Sequence, residues 1–181
     1  MRVISGKARG ASLLAPTGKN VRPTSDYVKE NLFNIIQADV ASSYFLDLFS
    51  GSGGVGIEAL SRGATHAVFV DSSQKSTDLV RRNLEKTRLL GHATIIKGEI
   101  PAIFHRLAGQ KFDIVFLDPP YDKGLAEKTI TAIQKLCILA DGGIIIAEIA
   151  GNESFSPPNG LEIYKEKNYG TSKLIFMEVR A

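Results

Sequence analysis

The sequence predicts an α/β protein built on a mostly parallel sheet, and three observations predict it. Five apolar segments, at 44–49, 66–70, 93–97, 112–117 and 143–149, alternate with helical patterns, the rhythm of repeated strand-helix-strand units. The turn from the first of them into its helix is crowded with glycine, at Gly51, Gly53, Gly54 and Gly56. The last two segments, 161–167 and 173–179, are separated only by Asn168-Tyr169-Gly170-Thr171. A link that short cannot make a crossover, so those two must pair antiparallel. The expected sheet has seven strands, one of them reversed, with helices on both faces.

A chain of 181 residues suits one domain able to bury roughly 70% of its unfolded surface. Hydrophobic residues make up 44% and charged residues 23%, ordinary for a globular protein. No apolar run approaches the roughly 20 residues of a membrane span, and the start lacks a signal-peptide pattern, so a cytoplasmic protein without membrane contact is expected. Cys137 stands alone, which excludes an internal disulfide; it lies in a helical apolar pattern and is expected to be a small core residue. His66, His92 and His105 are far apart with no ligand spacing, and no metal is assigned. Net charge is +3, but five of the 22 basic residues (Arg2, Lys7, Arg9, Lys19 and Arg22) precede Asp26, ahead of every acidic residue. A basic segment at the front of a nearly neutral body is the footprint of a polyanion binder.

Residues 2–5 and 11–15 read as short extended pieces joined by Gly6-Lys7-Ala8-Arg9-Gly10, a hairpin with a basic tip. After a turn-rich loop over 16–23, Thr24 or Ser25 caps a helix whose buried stripe is Val28, Leu32, Ile35 and Ile36. Arg22 and Thr24 thus flank a helix N-terminus, a place that favours an anion such as a carboxylate or phosphate. The boundary between a basic extension (1–23) and the main domain (24–181) is drawn here.

The first strand, 44–49, runs into the glycine turn and a helix over 57–62. Gly51, Gly53 and Gly56 satisfy G-x-G-x-x-G, and Asp71, 20 residues beyond Gly51, ends the second strand, where it can reach a nucleoside ribose. Asp47, inside the first strand, would repel a pyrophosphate and welcome a cation. A helix from Ser72 or Ser73 to about Leu90 carries Leu79, Val80 and Leu84 inward, and Gly91 ends it. Glu99, after the third strand, can accept from an adenine amino group while Ile100 packs on the ring. A short helix follows over 101–107.

The fourth strand, 112–117, delivers Asp118-Pro119-Pro120-Tyr121. Two prolines cannot continue a ladder, and their fixed φ stiffens the turn. A carboxylate and free carbonyls only accept hydrogen bonds, and a tyrosine ring can stack on a flat molecule. That set suits a planar group bearing an NH2. A helix over 124–139, with Leu125, Ile130, Ile133 and Leu136 inward, leads to the fifth strand.

Taken together, Arg2-Val3-Ile4-Ser5-Gly6, Arg9-Gly10, Val21-Arg22-Pro23-Thr24, Glu30-Asn31-Leu32-Phe33-Asn34, Asp47-Leu48-Phe49-Ser50-Gly51-Ser52-Gly53, Glu58-Ala59-Leu60-Ser61-Arg62-Gly63 and Asp118-Pro119-Pro120-Tyr121 resemble the bacterial RsmD family. That family belongs to the Rossmann-like class I methyltransferases and methylates the N2 of a guanine in 16S ribosomal RNA. The chain departs from it at Asn20, where members often have glycine and then leucine before Arg-Pro-Thr, and at 150–160, which is Pro-rich without a clear helix.

The resemblance implies S-adenosylmethionine as cofactor, held by Arg22, Thr24, Asp47, Phe49, Ser50, Gly51, Gly53, Asp71, Ser72, Glu99, Ile100 and Asp118. It implies Asp118, Pro119, Pro120 and Tyr121 as the catalytic set, and Arg2, Lys7 and Arg9 as contacts to 16S ribosomal RNA within a small-subunit particle. A monomer is expected. Three rivals share parts of the pattern: an adenine-N6 or cytosine-N4 DNA methyltransferase, for which the chain is short; a dinucleotide-binding oxidoreductase, which leaves Asp118 to Tyr121 unexplained; and a non-catalytic RNA-binding module.

Overall fold

In the computed structural model, which describes residues 1–16, 25–121 and 124–180, the strands are β1 (Tyr44–Leu48), β2 (His66–Asp71), β3 (Ala93–Lys97), β4 (Phe112–Leu117), β5 (Leu139–Ala150), β6 (Leu161–Asn168) and β7 (Ser172–Val179). They form one sheet in the order β3-β2-β1-β4-β5-β7-β6. The four pairings that join β3, β2, β1, β4 and β5 are parallel, and β7 runs antiparallel to both β5 and β6. The single reversed strand expected from the short final link is therefore β7. The chain winds outward from β1 in one direction and from β4 in the other, so the β1–β4 seam is the point where an open α/β sheet receives ligands.

Strand periodicity divides the core in two. Phe45, Phe69, Ile114, Phe116, Ile146 and Phe176 face a layer made by α1 (Asp26–Ile35), α3 (Gly54–Ser61) and α4 (Gln74–Lys86). Their neighbours Leu46, Leu48, Val70, Val115, Ile145 and Ile175 face α5 (Leu125–Lys135) and the 3₁₀ turn at Ala102–Leu107. A short α2 (Gln37–Val40) links α1 to β1. Among the described residues, no helix is long and apolar enough to cross a membrane.

Two helices end earlier than their apolar patterns predict, for one reason. After α4, Arg88 takes φ 59° and Leu89 donates to the Leu84 carbonyl at 2.9 Å; after α5, Cys137 takes φ 50° and Ile138 donates to Ile133 at 3.3 Å. In each case a left-handed residue closes the helix so that the next apolar side chain, Leu89 or Ile138, is buried. The closing residues are not glycine, which hid the stops from the sequence. Leu136, expected inward, is 40% exposed, and Cys137 is an exposed free thiol rather than a core residue. β5 then starts at Leu139, earlier than residue 143, with a register irregularity opposite Phe112 and Ile114.

The N-terminal hairpin is present with little regular strand. One bridge, Arg2 to Ser12, marks it. Val3 donates to Ala11 at 3.0 Å and Gly10 to Val3 at 2.9 Å. Val3 and Leu13 are buried in the same core as α1, so the hairpin is anchored through its stems and exposes Arg2, Lys7 and Arg9.

Candidate active site

The glycine turn is shaped before any ligand arrives. Phe49, Gly51 and Gly53 all have positive φ (59°, 53° and 76°), a region costly for the phenylalanine and free for the glycines. Gly53 donates to the Ser50 carbonyl at 2.7 Å, and Ser50 donates to Val70 at 3.1 Å, tying the turn to the end of β2. Asp71 holds it from the side, accepting from the Gly51 N–H through Oδ2 and from the Ser73 N–H through Oδ1, each at 2.9 Å. Each of those oxygens keeps a second lone pair. At Gly56 a Cβ would lie 2.4 Å from the Phe69 ring and 3.0 Å from Asp47 Oδ2; glycine there lets α3 close on β2 and lets its N–H reach Asp47 Oδ2 at 2.9 Å.

At the exit of β4, the Asp118 N–H donates to the Leu48 carbonyl at 3.4 Å, which docks the Pro-Pro turn against the end of β1. Between the two turns lies a cavity of about 480 Å³ lined by Asp47, Phe49, Ser50, Gly51, Asp71, Ser72 and Asp118 through Tyr121. Those residues were all expected at the site. Gly53 is not part of the lining; it supports the turn from behind, close to Val80 and Phe69. Glu99 and Ile100 also stay out of the lining. Glu99 is exposed, and Ile100 is buried in the core that holds Ile103 and Phe104. Arg22 and Thr24 lie outside the described residues. Arg2, Lys7 and Arg9 sit on the hairpin, away from the lining. Sequence reasoning missed Met1, Lys29, Ser52, Ser76 and Phe116, which also line the cavity. Lys29 had a signal: it falls on the apolar stripe of α1 with Phe33 and Ile36.

The cavity wall is acidic, and its acids are largely buried. Asp47 is 2% exposed, and burial, helped by Asp71 and opposed by the Gly56 N–H, pushes its carboxyl from 3.8 up to about 8. Asp118 is likewise raised well above the usual carboxylate range, by burial first and then by Glu148 and Asp47. The Ser50 hydroxyl is buried at the same wall with no hydrogen-bond partner among the described residues. Acids whose charged neighbours are other acids, beside an unsatisfied hydroxyl, form a receptor for a polar cation.

A second buried cluster, whose charges are balanced, reaches this cavity through Lys29. Glu58 on α3 is fully buried; its Oε1 accepts from Arg62 Nε at 2.8 Å and from the Ser5 N–H at 2.9 Å, and its Oε2 accepts from the Ile4 N–H at 2.8 Å. Lys29 Nζ lies 3.4 Å from Glu58 Oε2 and donates to the Arg2 carbonyl. Burial lowers the Lys29 pKa against the opposing pull of Glu58 and Asp26. Arg62 also stacks over Phe33, 4.9 Å from the ring centroid. The hairpin is thus clamped to α1 and α3 through its own backbone.

Comparison with known proteins places this geometry in a group. The family described as Conserved hypothetical protein 95 matches residues 1–178. YlbH of Bacillus subtilis (strain 168), provisionally named an rRNA methyltransferase, is 43% identical over 150 residues, 82% of each chain. Ribosomal RNA small subunit methyltransferase D of Escherichia coli (strain K12) is 33% identical over 171 residues, covering 94% of this chain and 85% of that one. Among solved structures, Escherichia coli yhhF superposes with a TM-score of 0.89 at 32% identity, covering 100% of this chain and 98% of the other. The Thermus hypothetical protein TTHA0928 follows at 0.84 and 27%, covering 99% of each.

Proposed function

Because the chain belongs to the family described as Conserved hypothetical protein 95, the RsmD family, we propose that it transfers a methyl group from S-adenosylmethionine to the exocyclic N2 of a guanine in 16S ribosomal RNA. We read its substrate as the RNA of a small-subunit particle. The observation that carries the proposal is the placement of Asp118 and Pro119 on the wall of the cavity that Asp47, Asp71 and the glycine turn also line. One cavity then holds a cation receptor and an acceptor-only rim for an amine.

The residues fit the cofactor. Asp47 and the unsatisfied Ser50 hydroxyl suit its charged methionine end, and the remaining lone pairs of Asp71 suit ribose hydroxyls. Bound there, S-adenosylmethionine supplies an electrophilic methyl group on a positively charged sulfur. Everything else falls to the chain. A guanine N2 is a poor nucleophile because its lone pair is delocalised into the ring. The Asp118 carboxylate and the Pro119 carbonyl accept its two N–H hydrogens and turn the lone pair out of the ring plane toward the methyl. Positioning and electrostatics supply most of the rate. Ionised once a cation is bound in the cavity, Asp118 also faces the positive charge that develops on nitrogen and takes the proton that nitrogen sheds. Tyr121, 39% exposed at the cavity mouth, offers a ring for the extruded base, whose extrusion is cheapest from an RNA loop. Arg2, Lys7 and Arg9 would hold the phosphates of the same RNA.

The experiment is methylation of small-subunit particles, free 16S ribosomal RNA and duplex DNA with labelled cofactor, followed by nucleoside analysis. N2-methylguanosine from the ribosomal substrates alone is the expected product. Methyladenine or methylcytosine from DNA would replace this reading with the DNA-methyltransferase one.

A further inference from the structure

A second depression, of about 730 Å³, lies between α1 and the β6–β7 hairpin, apart from the cavity already described. Tyr27, Asn31 and Asn34 line it from α1; their i, i+4, i+7 spacing puts them on one stripe beside the buried Val28 and Leu32. Lys165 and Lys167 line it from β6. The register explains why both reach it. They pair with Phe176 and Leu174, whose side chains face the α1 layer, whereas Glu166 pairs with Ile175 on the other face. Alternation therefore turns both lysines toward the groove and the intervening acid away from it.

Tyr169, at the hairpin tip, closes the groove by meeting Tyr27 edge-on, with centroids 6.0 Å apart and planes at 86°. Tyr27 remains 67% exposed. Cations, side-chain amides and an open aromatic ring are the groups that grip a single strand of nucleic acid, through phosphates, base edges and base faces in turn. The groove also continues the catalytic edge. The tip leaves the sheet beside the end of β5, where Ala150 pairs with Ser172, next to the β4 exit that carries Asp118. Glu148 is close enough to Tyr169, together with Tyr27, to help burial push its hydroxyl pKa up, and the same Glu148 acts on Asp118. On α1, Lys29 lines the cavity while Tyr27, two residues earlier, lines the groove.

We infer that this groove binds the single-stranded RNA flanking the target nucleotide, with Lys165 and Lys167 on phosphates and Tyr27 stacked on a base. The inference rests on the RNA-methyltransferase reading above. Its test is binding and methylation of small-subunit ribosomal RNA, freed of protein and assembled in particles, by the wild type, the Lys165→Gln/Lys167→Gln pair, Tyr27→Ala and Tyr27→Phe. The lysine pair is expected to weaken binding about tenfold and to flatten the salt dependence of log K by about 0.7 per lysine, the single-strand value. Tyr27→Ala is expected to cost on the order of tenfold, and Tyr27→Phe to restore affinity, since the ring is what stacks. S-adenosylhomocysteine affinity and kcat at saturating RNA should not move. Variants that match a methylating wild type in affinity and salt slope would overturn the groove alone. A loss confined to assembled particles would overturn it too, by placing a protein there. A wild type that methylates no RNA would bring down the reading of function, and the groove with it.

Discussion

Two buried clusters lie on either side of α3, and they treat charge in opposite ways. Glu58 has two cations and two backbone N–H groups around it, so its charge is answered from within the fold. Asp47 and Asp118 are pressed upward in pKa by burial and by further acids, and no ion pair among the described residues reaches either of them. A buried acid answered inside the chain holds structure together. One answered by other acids is held ready for something outside it.

Substitutions that exchange these roles test the contrast. The largest effect is expected from Asp118→Ala, which should lower kcat on the order of a hundredfold or more while the chain still folds and still binds cofactor; turnover within a fewfold of normal would remove Asp118 from the chemistry. Glu58→Gln should do the reverse, leaving a desolvated Lys29 without its nearer, buried counter-ion and destabilising the fold by about 3 kcal/mol. Urea unfolding would show it, and an unchanged midpoint would mean the cluster contributes nothing net.

Asp47→Asn tests the ready acid directly. The Asp47 carboxyl titrates near 8 when folded against 3.8 ordinarily, so between those values the unfolded chain has shed a proton that the folded chain keeps. Stability therefore falls as pH rises across that window and levels off above it. Asparagine keeps an acceptor for the Gly56 N–H and removes the Asp47 share of the slope, leaving that of Asp118, so the variant should gain melting temperature relative to wild type from pH 5 to pH 8 and lose affinity for the cationic cofactor. Parallel melting curves across that range would show that Asp47 is not a buried acid in the free protein. The smallest effect is expected from neutralising Arg2, Lys7 and Arg9, which should weaken RNA binding and reduce its salt slope without touching cofactor affinity; an unchanged slope would take the hairpin out of the interface.

What could be read from the sequence was whatever a local rule writes down. Pro119-Pro120 had to end a strand, the glycines after β1 had to turn, and the four-residue link before β7 had to reverse it. The helix stops at Arg88 and Cys137 were invisible because the left-handed conformation there is enforced by burying Leu89 and Ile138, a tertiary demand with no mark at the residue itself. The burial of Ile100 with Ile103 and Phe104 could not be read from its place after β3, because packing sets side-chain direction. The Lys29–Glu58 pairing joins residues far apart in the chain, and only the oddity of each charge within an apolar stripe hinted at it.

The hairpin's tip is seated with no clearance. A Cβ placed on Gly6, at φ 83°, would fall 1.8 Å from the Ser61 carbonyl oxygen, and the Lys7 N–H bonds to that same oxygen at 2.8 Å. For anyone reshaping this arm to follow a different RNA, the basic positions around it are open to randomisation, but Gly6 is the hinge pin: any larger residue there would pry the arm off the end of α3 and misalign every contact beyond it.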